Sequence, residues 1–391
     1  MRASPARATE DDVRLAAYVP CVLSGFGLAI LAGVVVASCG SSDDARAPEP
    51  AMFVDASPGT GGDSSVKPPS TVDDGGVPST DGAPEPCSLR DTDSAPKDVS
   101  YRATLSGREA WIHDEKSPAG YFHTFDALQL GTGAEGAARK IHVFLPRSYT
   151  TGCRRYPVVY MNDGDTAFFA GSVGKSWDMQ TVLTEGYAAR QLPEVIVVAV
   201  HPLEREREYT HASWLPSQAC CGLPLYVDYL TGALKPFIDG AYRTRSGPAD
   251  SVILGSSHGG LASFYTAALR SEVFGKVIGM SSSFWVGLDS GIAVGGPLDT
   301  SDLMRTLAPR LLAKRPRVYL DWGLVRTGGA NNSLIEDRAT VRGREMSSLL
   351  VASYGYTKNK DLFTVEDPQG EHDELSWRRR VGHALKVSLE P

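Results

Sequence analysis

The strongest constraint on this chain is an alternation that begins near residue 139. The runs "RKIHVFLP" (139–146), "YPVVYMND" (156–163), "EVIVVAVH" (194–201), "SVILGS" (251–256), "KVIGMSS" (276–282), "RVYLDWG" (317–323) and "LFTVED" (362–367) read as strands. Helical stretches are predicted between and after them over 177–191, 223–238, 334–354 and 374–389. After "SVILGS", Leu261, Phe264, Tyr265, Ala268 and Leu269 recur at the spacing of one helix face. Short strands that are apolar throughout must be covered on both sides. The alternation therefore predicts an α/β domain over residues 98–391, with a mostly parallel sheet and helices on both faces. Such sheets collect functional groups at the carboxyl ends of their strands.

The rest of the 391 residues differs in composition. From Leu15 to Ser38 there is no charge, and Arg2, Arg7 and Arg14 precede the run. It is long enough to cross a hydrocarbon core and ends in "VASCGSSDD". An apolar residue, two small residues and Cys39 resemble the lipobox of a bacterial lipoprotein signal, in which the cysteine sulfur carries lipid. Residues 1–39 are thus expected to be a lipoprotein-type signal; an uncleaved anchor or an ordinary signal cut near Ala37 are the alternatives. All three place the domain outside the cytoplasm. Residues 40–97 are rich in Pro, Gly, Ser, Asp and Thr, and are expected to form a flexible tether. A net charge of -7 gives no support to nucleic-acid binding.

Cysteine usage fits an oxidising compartment. Besides Cys21 and the lipidation candidate Cys39, the chain has Cys87, Cys153, Cys220 and Cys221. A Cys87–Cys153 bridge is expected, with Cys220–Cys221 a vicinal pair or one of the two free. Neither CxxC nor HExxH is present, so no metal site is expected.

The chemistry centres on "LGSSHGG" (254–260), between a predicted strand and an amphipathic helix. In a G-x-S-x-G turn the positions two before and two after the nucleophile must be small, because strand and helix backbones approach there. Ser257 has Gly255 and Gly259 at those places, whereas Ser256 would have Leu254 and His258. Ser257 is therefore the candidate nucleophile. His372, in the loop after the last strand, is the candidate base, since Ser, acid, His is the chain order of α/β hydrolases. The acid should follow "RVYLDWG", but "LVRTGGANNS" holds no carboxylate. Asp337 is favoured, Glu336 is the alternative, and Asp321 at the strand end or a Ser-His dyad remain open. Backbone N–H groups of His258 and of Gly164 and Asp165 are expected to bind the oxyanion. Trp285, in "SSSFW", is a candidate pocket wall, with core packing as its plain alternative.

In order along the chain, "YPVVYMNDGDTAFF", "REREYT" (205–210), "LGSSHGG", "SSSFW", "RVYLDWG" and "GEHDELSW" resemble the esterase family of α/β hydrolases. That family includes enterochelin (ferric-siderophore) esterases, feruloyl and acetyl-xylan esterases and the antigen 85 mycolyltransferases. The likeness covers residues 120–390. It implies the α/β-hydrolase fold, Ser257 and His372 as nucleophile and base, and no cofactor. It also puts Arg207, Glu208 and Tyr209 near the active-site rim. The family often has a carboxylate shortly after the glycine of its DxG strand, where this chain has Arg326. The expected function is a secreted or lipid-anchored serine esterase acting on a small-molecule or polysaccharide-linked ester. Acyl transfer, or a non-catalytic surface binding protein on a hydrolase scaffold, are the alternatives.

Overall fold

In the computed structural model the described residues are 90–133, 136–171, 173–290 and 293–390. The expected signal segment with Cys39, the tether up to residue 89 and Cys87 lie outside them. Among the described residues, no helix is long and apolar enough to cross a membrane. The ordered domain begins before the expected boundary at 98. Arg90 donates to the carbonyls of Gly240 and Tyr242, and Thr92 is fully buried and donates to Ala241.

Among the described residues, ten strands form one sheet: β1 (Tyr101–Leu105), β2 (Arg108–His113), β3 (Gly120–Leu128), β4 (Arg139–Pro146), β5 (Val158–Met161), β6 (Ile196–Val200), β7 (Ser251–Ser256), β8 (Lys276–Met280), β9 (Arg317–Gly323) and β10 (Leu362–Asp367). The helices are α1 (Gly164–Ala167), α2 (Met179–Ala188), α3 (Arg205–Tyr209), α4 (Leu223–Tyr229), α5 (Lys235–Ala241), α6 (Ser257–Leu269), α7 (Asp302–Ala313), α8 (Asp337–Tyr354) and α9 (Glu374–Leu389). The spatial order is β1-β2-β3-β4-β6-β5-β7-β8-β9-β10. Pairing is antiparallel from β1 to β6 and parallel from β6 to β10.

The predicted strands are the parallel half, β5 to β10, together with β4, which joins β6 antiparallel, all close to the expected bounds. Alternate residues of each strand face opposite sides. Tyr160 and Ile253 join one core with Leu261 and Phe264 of α6, while Val159, Met161, Val252 and Leu254 join another with Leu183 of α2 and Val381 and Leu385 of α9. The antiparallel edge β1–β3 and helix α7 were not foreseen. Alternation in β1 is carried by Tyr, Ala and Leu against Arg and Thr, a short and weak signal. In α7 the Ser301 cap, which accepts from the Met304 N–H, is readable, but Pro309 interrupts the pattern.

One buried ion pair fastens α3 to the sheet. Arg139, at the start of β4, reaches Glu208 with two parallel hydrogen bonds of 3.1 and 2.8 Å, and both side chains are excluded from solvent. The guanidinium also lies 4.1 Å from the Tyr229 ring centre, and the Leu203 N–H donates to Glu208. Truncating one partner of such a pair leaves an uncompensated buried charge, at a cost of about 3–5 kcal/mol. Arg139→Met should lower stability by that amount in denaturant titration, and Arg139→Met/Glu208→Leu should recover much of the loss.

Candidate active site

The turn at Ser257 has the geometry that its glycines demand. β7 ends at Ser256 and α6 starts at Ser257, whose φ of 53° is left-handed. A Cβ on Gly255 would stand 2.4 Å from the Gly259 carbonyl oxygen, so only glycine lets strand and helix approach this closely. A Cβ on Gly260 would stand 2.5 Å from Ser282 Oγ. The turn therefore presents the Ser257 hydroxyl at the carboxyl edge of the sheet, beside the first turn of α6. There, the amides of Ser257 and His258 have no carbonyl one turn back within the helix.

His372 Nε2 lies 2.9 Å from Ser257 Oγ, and His372 Nδ1 lies 2.5 Å from Glu336 Oε2. The imidazole is further placed by Trp377, whose ring meets it edge-on at 5.1 Å. Its backbone is fixed as well, because the His372 N–H donates to Asn332 Oδ1 at 2.9 Å. The position beside Nδ1 is thus filled by Glu336 and not by the favoured Asp337, whose carboxylate is exposed and pairs with Arg326 at 2.8 Å. Asp321 is buried elsewhere, in an ion pair with Arg380 at 3.0 Å. The last residue of the π-turn Asn331–Glu336 is the carboxylate, one step before α8. A sequence signal did exist: Ala339, Gly343, Met346 and Leu350 form the buried stripe of α8, and Glu336 continues it at the 3-4 spacing while Asp337 falls off it.

Glu336 is wholly buried. Burial pushes its carboxyl pKa up, but the His372 hydrogen bond and charge, the Gly323 N–H and the Ser281 hydroxyl together outweigh that and hold it below the ordinary value. Ser281 donates to Glu336 Oε1 at 2.9 Å and itself accepts from Trp377 Nε1 at 3.1 Å.

The open side of this array is a cleft of about 590 Å³, lined in part by Asp163, Asp165, Lys175, Leu203, Arg205, Ser257, His372 and Glu374. The residues expected at the rim are placed differently. Tyr209 is fully buried below it, and its hydroxyl accepts the Asp163 N–H at 3.0 Å. Trp285 is 3% exposed and belongs to the core, with its ring 6.4 Å from that of His258. Arg207 does not line the cleft; its side chain runs against Gly222. Arg205 and Lys175 line it instead, each paired with an aspartate, Asp163 and Asp373. Gly164 and Asp165 open α1 directly after Asp163. A Cβ on Gly164 would stand 2.7 Å from backbone atoms of Ala199 and Val200, so this loop, too, depends on a glycine. His258 is not among the residues that line the cleft; its Nδ1 lies 3.1 Å from Glu206 Oε2 and its ring is edge-on to Trp214.

A doubly covered parallel sheet with a serine on a strand-to-helix turn, against a histidine from the loop after the last strand, is the architecture of an α/β hydrolase. The family model Esterase, described as Putative esterase, matches residues 133–386, and the chain belongs to that family. It is 26% identical to the uncharacterized protein YbbA of Bacillus subtilis over 157 residues, which are 38% of this chain and 58% of that protein. It is 31% identical to the iron(III) enterobactin esterase of Escherichia coli K12 over 151 residues, 38% of this chain and 33% of that enzyme. The matches thus span less than two thirds of either relative. Among solved structures, an IroE-like serine hydrolase from Shewanella oneidensis is similar at 20% identity and a TM-score of 0.49, covering 66% of this chain and 78% of that one. An enterochelin esterase from Shigella flexneri is similar at 21% and 0.49, covering 72% and 60%.

Two outcomes follow from the geometry. Gly255→Ala forces the strand and helix apart, and should yield a less stable protein with little labelling of Ser257 by a fluorophosphonate. Because the folded-state pKa of Glu336 is depressed, its stabilising contribution is complete above the unfolded carboxyl value of about 4.3 and is lost as pH falls through the lower folded value. Acid unfolding of Glu336→Gln should therefore be less steep over that range than acid unfolding of the parent.

Proposed function

We propose that this protein is a serine esterase that hydrolyses carboxylic esters through an acyl-enzyme. The observation that carries the reading is the unbroken relay of hydrogen-bond distances from Ser257 Oγ through His372 to the buried Glu336, at the floor of an open cleft. His372 Nε2 takes the Ser257 proton as Oγ attacks the ester carbonyl. Glu336 holds the other ring nitrogen, which fixes the tautomer and stabilises the imidazolium that forms. The tetrahedral oxyanion is received by the His258 N–H and by the amides of Gly164 and Asp165, each donor being worth about 10²–10³ in rate. His372 returns the proton to the departing alcohol, then activates water to release the acid. The substrate class is a small-molecule ester of siderophore, sugar-linked or aromatic-acid type, consistent with family membership and the cleft's size.

The same reading puts the domain outside the cytoplasm, tethered by a lipid on Cys39 through the Pro/Gly/Ser-rich segment. Adjacent sulfurs at Cys220 and Cys221 support a vicinal disulfide and hence an oxidising compartment.

With a short-chain aryl ester, Ser257→Ala should lose turnover and fluorophosphonate labelling together; labelling that persists would sink the nucleophile assignment. Glu336→Gln should reduce kcat by about 10³–10⁴, whereas Asp337→Asn should stay within about twofold. If Asp337→Asn is the slower of the two, the acid is misassigned. Cys39→Ser should release the protein from membranes, and retention would point to an uncleaved anchor.

A further inference from the structure

We propose that Arg205 is a positioning residue for the oxyanion-binding loop, acting through its two-pronged hold on Asp163. The inference rests on the serine-esterase reading and adds a part that the reading does not require.

Asp163 is the hinge between β5 and α1, and it adopts φ 54° and ψ 52°, a left-handed conformation that a non-glycine residue holds at a cost. Three contacts keep it there. Its N–H donates to Tyr209 Oη at 3.0 Å. Its carbonyl accepts the Thr166 N–H at 3.1 Å. Its carboxylate receives Arg205 Nε at 2.7 Å and Nη2 at 3.0 Å. The Asp163 amide is thus already engaged, so the amides that the serine-esterase reading assigns to the oxyanion are those of the next residues, Gly164 and Asp165, whose placement follows from the hinge. The preceding residue is pinned as well: Asn162 Nδ2 donates to the Gly259 carbonyl at 3.1 Å and to Ser263 Oγ at 3.0 Å, on the nucleophile's own helix.

Arg205 comes from a rigid base. Helix α3 is fastened to β4 by the Glu208–Arg139 pair, and the Arg205 guanidinium lies 5.5 Å from the Tyr209 ring centre. Arg205 and Tyr209, four residues apart, share one face of the turn and grip one residue, Asp163, by its carboxylate and its amide. Although Arg205 lines the cleft, Nε and Nη2 are committed to Asp163, and Nη1 lies 3.7 Å from Glu206. Its work is therefore directed at the hinge. A fork of two parallel donors sets the plane of the carboxylate, which the point charge of lysine does not do.

The test uses the full chain with a matched pair of aryl substrates, an ester and its thionoester, whose larger sulfur samples the fit of the oxyanion site. Arg205→Met should lower kcat by about 10- to 100-fold with KM changed less than about threefold, as expected for loss of transition-state contacts by misplacement. Its preference for ester over thionoester should shrink. Asp163→Asn, which keeps a residue tolerant of left-handed backbone, should do the same, and Asp163→Asn/Arg205→Met should be no slower than the worse single variant. Arg205→Lys should recover only a minor part of kcat. An unchanged kcat in Arg205→Met, a rise in KM alone, an unaltered ester-to-thionoester ratio or additive losses in the double variant would each overturn the proposal. Should Arg205→Met fold poorly, the same ratio in Arg205→Lys and Asp163→Asn decides the matter. Turnover that survives in Ser257→Ala overturns the underlying reading and this one with it. Loss in Ser257→Ala with Arg205→Met unaffected overturns the positioning role alone.

Discussion

The site turns on a single burial problem, the carboxylate of Glu336. A charge with no access to water is sustained only where hydrogen bonds and an opposite charge replace its hydration. Around Glu336 those partners are the Ser281 hydroxyl, the Gly323 N–H and the His372 imidazole, and each comes from the carboxyl end of a different strand. The loops after β8, β9 and β10 are thereby tied to one atom pair. The imidazole that completes the set is the one whose other nitrogen meets Ser257. The group that satisfies the buried acid is therefore also the one placed against the Ser257 hydroxyl, which ties local stability to the proposed chemistry.

The second constraint is close approach. Gly255 against Gly259, Gly164 against Ala199 and Val200, and Gly323 against Gly370 are places where a Cβ would collide with backbone. They bring the Ser257 turn, the Asp163–Asp165 loop and the His372 loop to one edge. Long side chains then lock what the glycines permit, with Asn162 across to α6 and Arg205 onto Asp163. The buried Arg139–Glu208 pair continues that chain of contacts to the antiparallel side of the sheet.

Much of this was legible in the sequence. The buried strands announce themselves as apolar runs, and Ser257 was separable from Ser256 by the size of its neighbours alone. His372 was marked by its place between the last strand and the last helix. At three places the structure departs from the favoured reading or selects between readings, each for a physical reason. Asp337 and Glu336 are hard to separate because an irregular loop precedes α8, with Gly328 and Gly329 both at positive φ, and such a loop obscures where the helical phase begins. One residue is about 100° on a helix, enough to turn a carboxylate from the core to solvent. Arg207 and Tyr209 were both expected at the rim, but residues two apart point to different sides of a helical turn, and it is Arg205 that shares a face with Tyr209. Of the two places open to Trp285, pocket wall or core, the loop after β8 folds it into the core.

By itself the sequence determined the sheet, its two-sided burial, and the placing of Ser257 on a tight strand-to-helix turn and of His372 in the loop after the last strand. These depend on local periodicity and on the steric rule of a tight turn, which a short window of residues contains. The tertiary structure set the contacts themselves: the Glu336 carboxylate against His372, the Arg205 guanidinium on Asp163, and Trp285 in the core. Those outcomes depend on the rotation of short, irregular segments relative to a distant strand, and that rotation is set by buried hydrogen bonds between residues far apart in the chain.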